Sequence, residues 1–162
     1  DWWSKNDAVD TIIRDTLSAL HIKASKGELF TWRKTPQGRL AEIIILDQFS
    51  RHMFRDSPQA FAYDTMALVL SQEAISSGAD KLLSPLQKSV LYMPFMHSES
   101  LAIHNVAVTL FKNNGIEANS DFEKKHKTII EKFGRYPHRN ASLGRTSTKE
   151  EIEYLKTPHS AF

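Results

Sequence analysis

The residues best suited to chemistry lie in one short segment, residues 133–145, which concentrates hydrogen-bond donors. Its basic and amide side chains are Arg135, His138, Arg139, Asn140 and Arg145. The segment also holds two glycines and a proline, which favour a shaped turn, and it contains no acidic residue. So many donors cannot be buried without partners. We therefore expect an ordered loop whose guanidinium groups bind an anion or pair with carboxylates from other parts of the chain.

A second candidate group lies in the segment 40–54, where apolar residues occur on nearly all sides of a predicted central helix. Asp47 and Arg51 are one helical turn apart in this hydrophobic surround. Such a pair either bridges helices structurally or supplies a site carboxylate beside an arginine that orients it or binds ligand. Both interpretations stay open. We expect Asp47 to meet an arginine or histidine of the 135–145 loop.

Three histidines lie on the apolar faces of two further predicted helices. His97 and His104 share a face but are seven residues apart. That spacing is about 10 Å along the axis, too far for both to hold one metal ion. His126 lies inside the next apolar stripe, where a lone histidine is more often a hydrogen-bonded core residue than a ligand. Metal-ligand spacings and glycine-rich phosphate loops are missing, so we predict no metal and no cofactor.

If these polar residues converge, they form a pocket with acid, base and anion-binding groups. The candidates for acid–base chemistry, including the carboxylates that would orient a histidine, are Asp47, His97, Glu99 and His138. The candidates for ligand binding are Arg51, His126, Arg135, Arg139, Asn140 and Arg145. No nucleophile stands out, so proton transfer or simple binding fits better than covalent catalysis. Whether the pocket is catalytic stays open, and without convergence these residues are capping and loop-bracing pairs.

All the secondary-structure elements that must position these residues are predicted to be helices. Helix starts are predicted from capping residues at Ser57-Pro58, Ser84-Pro85, Ser120 with Glu123, and Thr148 with Glu151. Helix ends are predicted at Gly27, Gly78, Asn114-Gly115 and Gly134, and before Pro94. Period-two alternation of any length is missing. We therefore predict an all-α protein of about seven helices.

Composition limits the classes of function. The 162 residues fit one domain, 1–162, and 41% hydrophobic with 25% charged residues is ordinary for a globular protein. A formal charge of +2 with dispersed basic residues argues against nucleic acid. The longest apolar run is far shorter than a membrane span, and the lack of cysteine fits a reducing compartment, so we predict a cytoplasmic protein. The adjacent Trp2 and Trp3 are expected to pack against something.

Several motifs together resemble a known family. They include Leu46-Asp47-Gln48-Phe49-x-Arg51, Tyr92-Met93-Pro94, His97-Ser98-Glu99 and the loop from Phe133 to Arg145. Over almost the whole chain this pattern resembles the bacterial family known as domain of unknown function 924. The resemblance implies an all-α fold of the tetratricopeptide-like helical class and no assigned activity. It also implies an aromatic-rich lead-in helix before Asp1, which the chain is expected to lack, and a glutamine where His104 stands.

Two functions from different classes stay open. The first is a pocket protein for a small anionic molecule, acting by acid–base chemistry if it is an enzyme. The second is a helical module whose concave face binds a protein partner without catalysis. An enclosed polar pocket would favour the first function, and an exposed apolar groove would favour the second. The inward-facing polar residues favour the pocket.

Overall fold

The computed structural model describes residues 7–158 and residue 160. The helices are α1 (Asp7–Ser25), α2 (Pro36–Ile44), α3 (Ser50–Met53), α4 (Asp64–Ser76), α5 (Pro85–Met96), α6 (Leu101–Asn114), α7 (Glu117–Phe133) and α8 (Lys149–Leu155). Short 3-10 helices span Phe30–Lys34, Pro58–Phe61, Ala79–Leu82 and Pro137–Arg139. The described residues contain no strand, which confirms the predicted all-α class, whereas the tetratricopeptide-like arrangement stays an expectation. Trp2 and Trp3 lie outside the described residues.

The helix α2 does not end at Ile44 but passes through a π-helical turn, Ile45–Phe49, directly into α3. Counted as one interrupted helix, α2 and α3 leave seven helices in the described part of the chain, as predicted. A π turn inserts an extra residue and is frequent at functional sites. Here it contains Asp47, one of the predicted site residues.

The hydrophobic core surrounds this interrupted helix, as its apolar pattern predicted. The helix contacts α1, α4 and α5, and α6 packs on α5. Its most deeply buried apolar side chains are Ile43, Ile45 and Leu46. On α4, Ala67 and Ala74 are fully buried, because small side chains let a neighbouring helix approach closely. No helix of the described residues is long and apolar enough to cross a membrane.

Several predicted helix boundaries are confirmed. Gly134 takes a left-handed backbone conformation, with φ of 68°, and ends α7. Thr148 and Glu151 form the predicted capping box at the start of α8. Ser84 caps α5 in the same way, with Gln87 as its reciprocal partner. These local signals succeed because each cap is completed by residues three or four positions apart.

Three predicted boundaries are wrong. Ser57 caps the 3-10 helix Pro58–Phe61, and α4 starts only at Asp64. Helix α7 already begins at Glu117, so Ser120 is not a cap. Pro94 lies inside α5 rather than beyond its end. A proline in the last turn removes one hydrogen bond, and packing of the surrounding buried residues can offset that loss.

Candidate functional site

The structure brings most of the predicted site residues together in one polar cluster. The cluster lies between the π turn, the end of α5, the start of α4 and the loop that follows α7. We define it by Asp47, Arg51, Asp64, His97, Glu99, Tyr136, His138, Arg139 and Arg145. Sequence reasoning missed Asp64 and Tyr136 as site residues, although Tyr136 lies in the loop singled out above.

Asp47 occupies the buried end of the cluster, with only 1% of its surface exposed. Its Oδ1 lies 2.7 Å from His97 Nδ1 and 3.2 Å from Arg51 Nη1, and Gln48 donates a hydrogen bond to Oδ2. Burial alone would raise the pKa of Asp47, but the charge of Arg51 and the contact with His97 outweigh it and lower the pKa. The carboxylate is therefore ionised at neutral pH.

The expectation that Asp47 meets a basic residue of the 135–145 loop is wrong. Its partners come from α3 and from the C-terminal end of α5. The reason is packing: α5 lies directly against α2, and His97, the residue that caps the end of α5, reaches the π turn. Asp47 and Arg51 nevertheless each have a partner besides the other, His97 for Asp47 and Asp64 for Arg51.

His97 is held in the form that can accept a proton. Because ionised Asp47 accepts a hydrogen bond from Nδ1–H, the lone pair of the neutral ring lies on Nε2. Nε2 makes no hydrogen bond to any described residue, and 17% of the side chain is exposed. Burial, together with the charge of Arg51, lowers the pKa of His97. The imidazole is thus neutral at neutral pH, and its Nε2 lone pair is free of described hydrogen-bond donors.

Two arginines share one carboxylate beside this pair. Arg51 donates to Asp64 from both Nη atoms, at 3.0 Å each, whereas Arg139 Nη1 reaches Asp64 Oδ2 at 3.3 Å. Both guanidinium groups lie over the ring of Phe61, at 5.7 and 4.7 Å from its centroid. Arg139 is only 6% exposed, and its Nε is buried without a hydrogen-bond partner. Burial and the nearby Arg51 charge lower the pKa of Arg139.

Tyr136 connects the loop to the rest of the cluster and is fully buried. Its backbone N–H donates to Glu99 at 2.7 Å, and its hydroxyl donates to the Met96 carbonyl oxygen at 2.5 Å. The guanidinium of Arg139 lies 4.5 Å from its ring centroid, on the aromatic face. Tyr136 therefore fixes the position of Arg139 relative to the end of α5.

The chain is similar to a known protein family and to a solved structure. Residues 1–159 match the family described as bacterial protein of unknown function (DUF924). The chain belongs to this family. It is also similar to the solved structure of a protein of unknown function from Agrobacterium tumefaciens, with 35% identity and a TM-score of 0.91, over 96% of this chain and 88% of that chain. No functionally curated protein matches the chain.

In this DUF924 member, three predicted ligand-binding residues hold the loop in place instead. Arg145 forms a two-bond ion pair with Glu99, at 2.7 and 3.0 Å, and its Nε donates to Asn140. Arg135 clasps Glu151 on α8 at 2.7 and 2.8 Å, and Asn140 donates to the same carboxylate. Glu99 thus anchors the loop, rather than orienting a histidine as predicted. Of the three loop arginines, Arg139 keeps unused donor capacity.

The remaining predicted histidines pack around Tyr136. His126 donates from Nδ1 to the Phe122 carbonyl oxygen at 2.7 Å, and its ring meets that of Tyr136 edge-on. The ring of His138 lies 5.5 Å from that of Tyr136. Burial lowers the pKa of His126 to about 3 and that of His138 to about 4. Both rings are therefore neutral, and His126 is the hydrogen-bonded core residue that its position favoured.

A fully buried pair of polar side chains, His104 and Glu123, packs near Tyr136 and was not predicted. His104 Nδ1 is 2.7 Å from Glu123 Oε1, with neither side chain exposed. His104 Nε2 lies 2.8 Å from the Ser98 carbonyl oxygen, which can only accept, so Nε2 carries a proton. Burial raises the pKa of Glu123. The residues described include no group of three or more histidine, cysteine, aspartate or glutamate side chains that could hold a metal ion.

Proposed function

We propose that the polar cluster binds a small anionic molecule and that His97 exchanges a proton with it, with Asp47 as the residue that positions the imidazole. The observation that carries the proposal is the combination of two unused groups. His97 presents a lone pair on Nε2, and the hydrogen bond from its Nδ1 to Asp47 fixes the orientation of the ring. Arg139 presents a buried Nε donor without a partner. A base and a cation in one polar cluster are what proton transfer to or from an anionic substrate requires.

The charge arrangement supports anion binding at Arg139. Asp64 already satisfies both Nη atoms of Arg51, so its longer contact with Arg139 neutralises that second cation incompletely. A bound anion would supply the charge that Arg139 lacks and reduce the repulsion between the two guanidinium groups. The alternative of a protein-binding module would rest on an exposed apolar groove, whereas the unused groups of this site are polar.

Anion binding is tested by thermal unfolding with a panel of phosphates, sulfate and small carboxylic acids at constant ionic strength. A ligand at about 100 times its dissociation constant should stabilise the protein by about 2.7 kcal/mol. Arg139→Ala should abolish the shift without unfolding the protein. The matched control is Arg39→Ala, which removes an arginine of α2 outside the cluster. If no anion in the panel stabilises the wild-type protein, the proposal is wrong.

The role of His97 is tested by proton uptake. An anion bound nearby favours the protonated imidazole, so binding should draw a proton from the buffer. Calorimetric titration in two buffers of different ionisation enthalpy measures the number of protons taken up. We expect a clear fractional uptake in the wild type and its loss in His97→Gln, while the anion still binds. Equal uptake in both proteins would place the titrating group elsewhere.

A further inference from the structure

We infer that the anion is a carboxylate, held side-on by the Nε–Nη2 edge of Arg139. This inference rests on the proposed function and narrows its ligand to one chemical class. It follows from how this chain uses its other arginines, from the surroundings of Arg139 and from the charge of the cluster.

The chain repeatedly uses the Nε–Nη2 edge of arginine to clasp a carboxylate. Arg33 holds Glu42 in this way at 2.7 and 2.7 Å, and Arg55 holds Asp10 at 2.7 and 3.1 Å. Arg135 does the same with Glu151. The two N–H bonds on this edge are parallel, and they match the two oxygens of a planar carboxylate.

Arg139 has this edge but no carboxylate on it. Its Nη1 is used by Asp64, and its guanidinium carbon lies 4.7 Å from the ring centroid of Phe61 and 4.5 Å from that of Tyr136. The Nε is buried without a partner, and no described residue bonds Nη2. The side chain keeps 7% of its surface exposed, although Nε itself is buried, so the edge lies just beneath the surface. A buried donor without an acceptor is costly, and a ligand oxygen would satisfy it.

Charge and shape favour a carboxylate over a phosphate. The charges of Arg51, Arg139 and Arg145 are balanced by three carboxylates, those of Asp47, Asp64 and Glu99. A carboxylate would add one negative charge, whereas phosphate at neutral pH would add roughly 1.5–2 next to Asp64. The free edge offers two parallel N–H groups, which match the two oxygens of a carboxylate and leave a third phosphate oxygen without a donor on that edge.

The test compares anions on the full chain by isothermal titration and by the side-chain Nε–H signals in a ¹H–¹⁵N NMR spectrum. The probes are acetate, benzoate, inorganic phosphate and sulfate at constant ionic strength. In the wild type we expect a carboxylate to bind at least about tenfold more tightly than phosphate or sulfate and to shift the Arg139 Nε–H signal. Arg139→Lys keeps the charge but lacks the paired donors, so it should lose about tenfold in carboxylate affinity. Arg39→Lys is the matched control and should bind like the wild type.

The outcomes separate this inference from the proposed function. Tighter binding of phosphate or sulfate, or full carboxylate affinity in Arg139→Lys, would overturn the carboxylate inference and leave the anion site standing. If none of the four anions binds, the anion site itself fails. The order of affinities in the wild type decides the matter even if Arg139→Lys does not fold, because it requires no substitution.

Discussion

Lowering the pH from about 7 to about 5 is expected to reduce the free energy of unfolding by about 4 kcal/mol through His126 and His138. Burial lowers the pKa of the two rings to about 3 and about 4, from an ordinary value of 6.5. At a pH between the pKa of each ring in the folded protein and its pKa in the unfolded chain, the unfolded chain binds a proton that the folded protein does not. Stability is therefore complete above about pH 6.5 and falls steadily as the pH drops through this window.

The surroundings of the two histidines determine the sign of this effect. Burial is the main cause that lowers the pKa of His138, and the positive charge of Arg139 is the second. The negative charge of Glu99 acts in the opposite direction. The hydrogen bond to the Phe122 carbonyl oxygen opposes the shift of His126, but burial outweighs it. His97, whose pKa is also lowered, adds to the loss in the same direction.

Urea unfolding at a series of pH values measures this effect. His138→Gln removes one titrating group, so its free energy of unfolding should fall less steeply between about pH 6.5 and about pH 5. Glu151 does not confuse the result. The ion pair with Arg135 lowers the pKa of Glu151 to about 2, so its contribution is lost only as the pH falls below about 4.5. If the free energy of unfolding of the wild type stays constant from about pH 7 to about pH 5, folding does not lower the pKa of either ring, and the prediction is wrong.

Local patterns in the sequence predicted most of the helices. Helix ends at Gly134 and the capping box at Thr148 depend on residues only a few positions apart, so they can be read without knowledge of the fold. The burial of residues 43–46 follows from apolar residues on all sides of one helix. The convergence of Asp47, His97 and the arginine loop on one cluster was one of two alternatives that the sequence left open, because polar residues on apolar faces need partners.

The identity of the partners could not be predicted in the same way. Glu123 looked like the second half of a capping box, but tertiary packing buries it against His104. Asp64 was not singled out as a site residue, and it becomes the carboxylate shared by two arginines only when α4 meets the loop. The π turn around Asp47 has no recognised sequence pattern, since one extra residue leaves the apolar spacing almost unchanged.

Replacing Asp47 by alanine is expected to lower the free energy of unfolding by about 3 kcal/mol. The substitution removes a buried acceptor from His97 Nδ1 and a negative charge from beside Arg51. The loss should lie at the low end of the range for broken buried pairs, because Arg51 keeps its two bonds to Asp64.

The matched control for this prediction is Asp121→Ala, which breaks an exposed ion pair with Lys124, where both side chains are more than half exposed. It should cost less than about 0.5 kcal/mol, because water screens such pairs. Urea unfolding of both variants gives the comparison directly. If Asp47→Ala costs no more than the control, the carboxylate gains little from its buried partners and does not hold His97 in one tautomer. The proposed base would then lack the group that orients it, since catalysis by His97 requires Asp47 to be an ionised, buried and rigid acceptor.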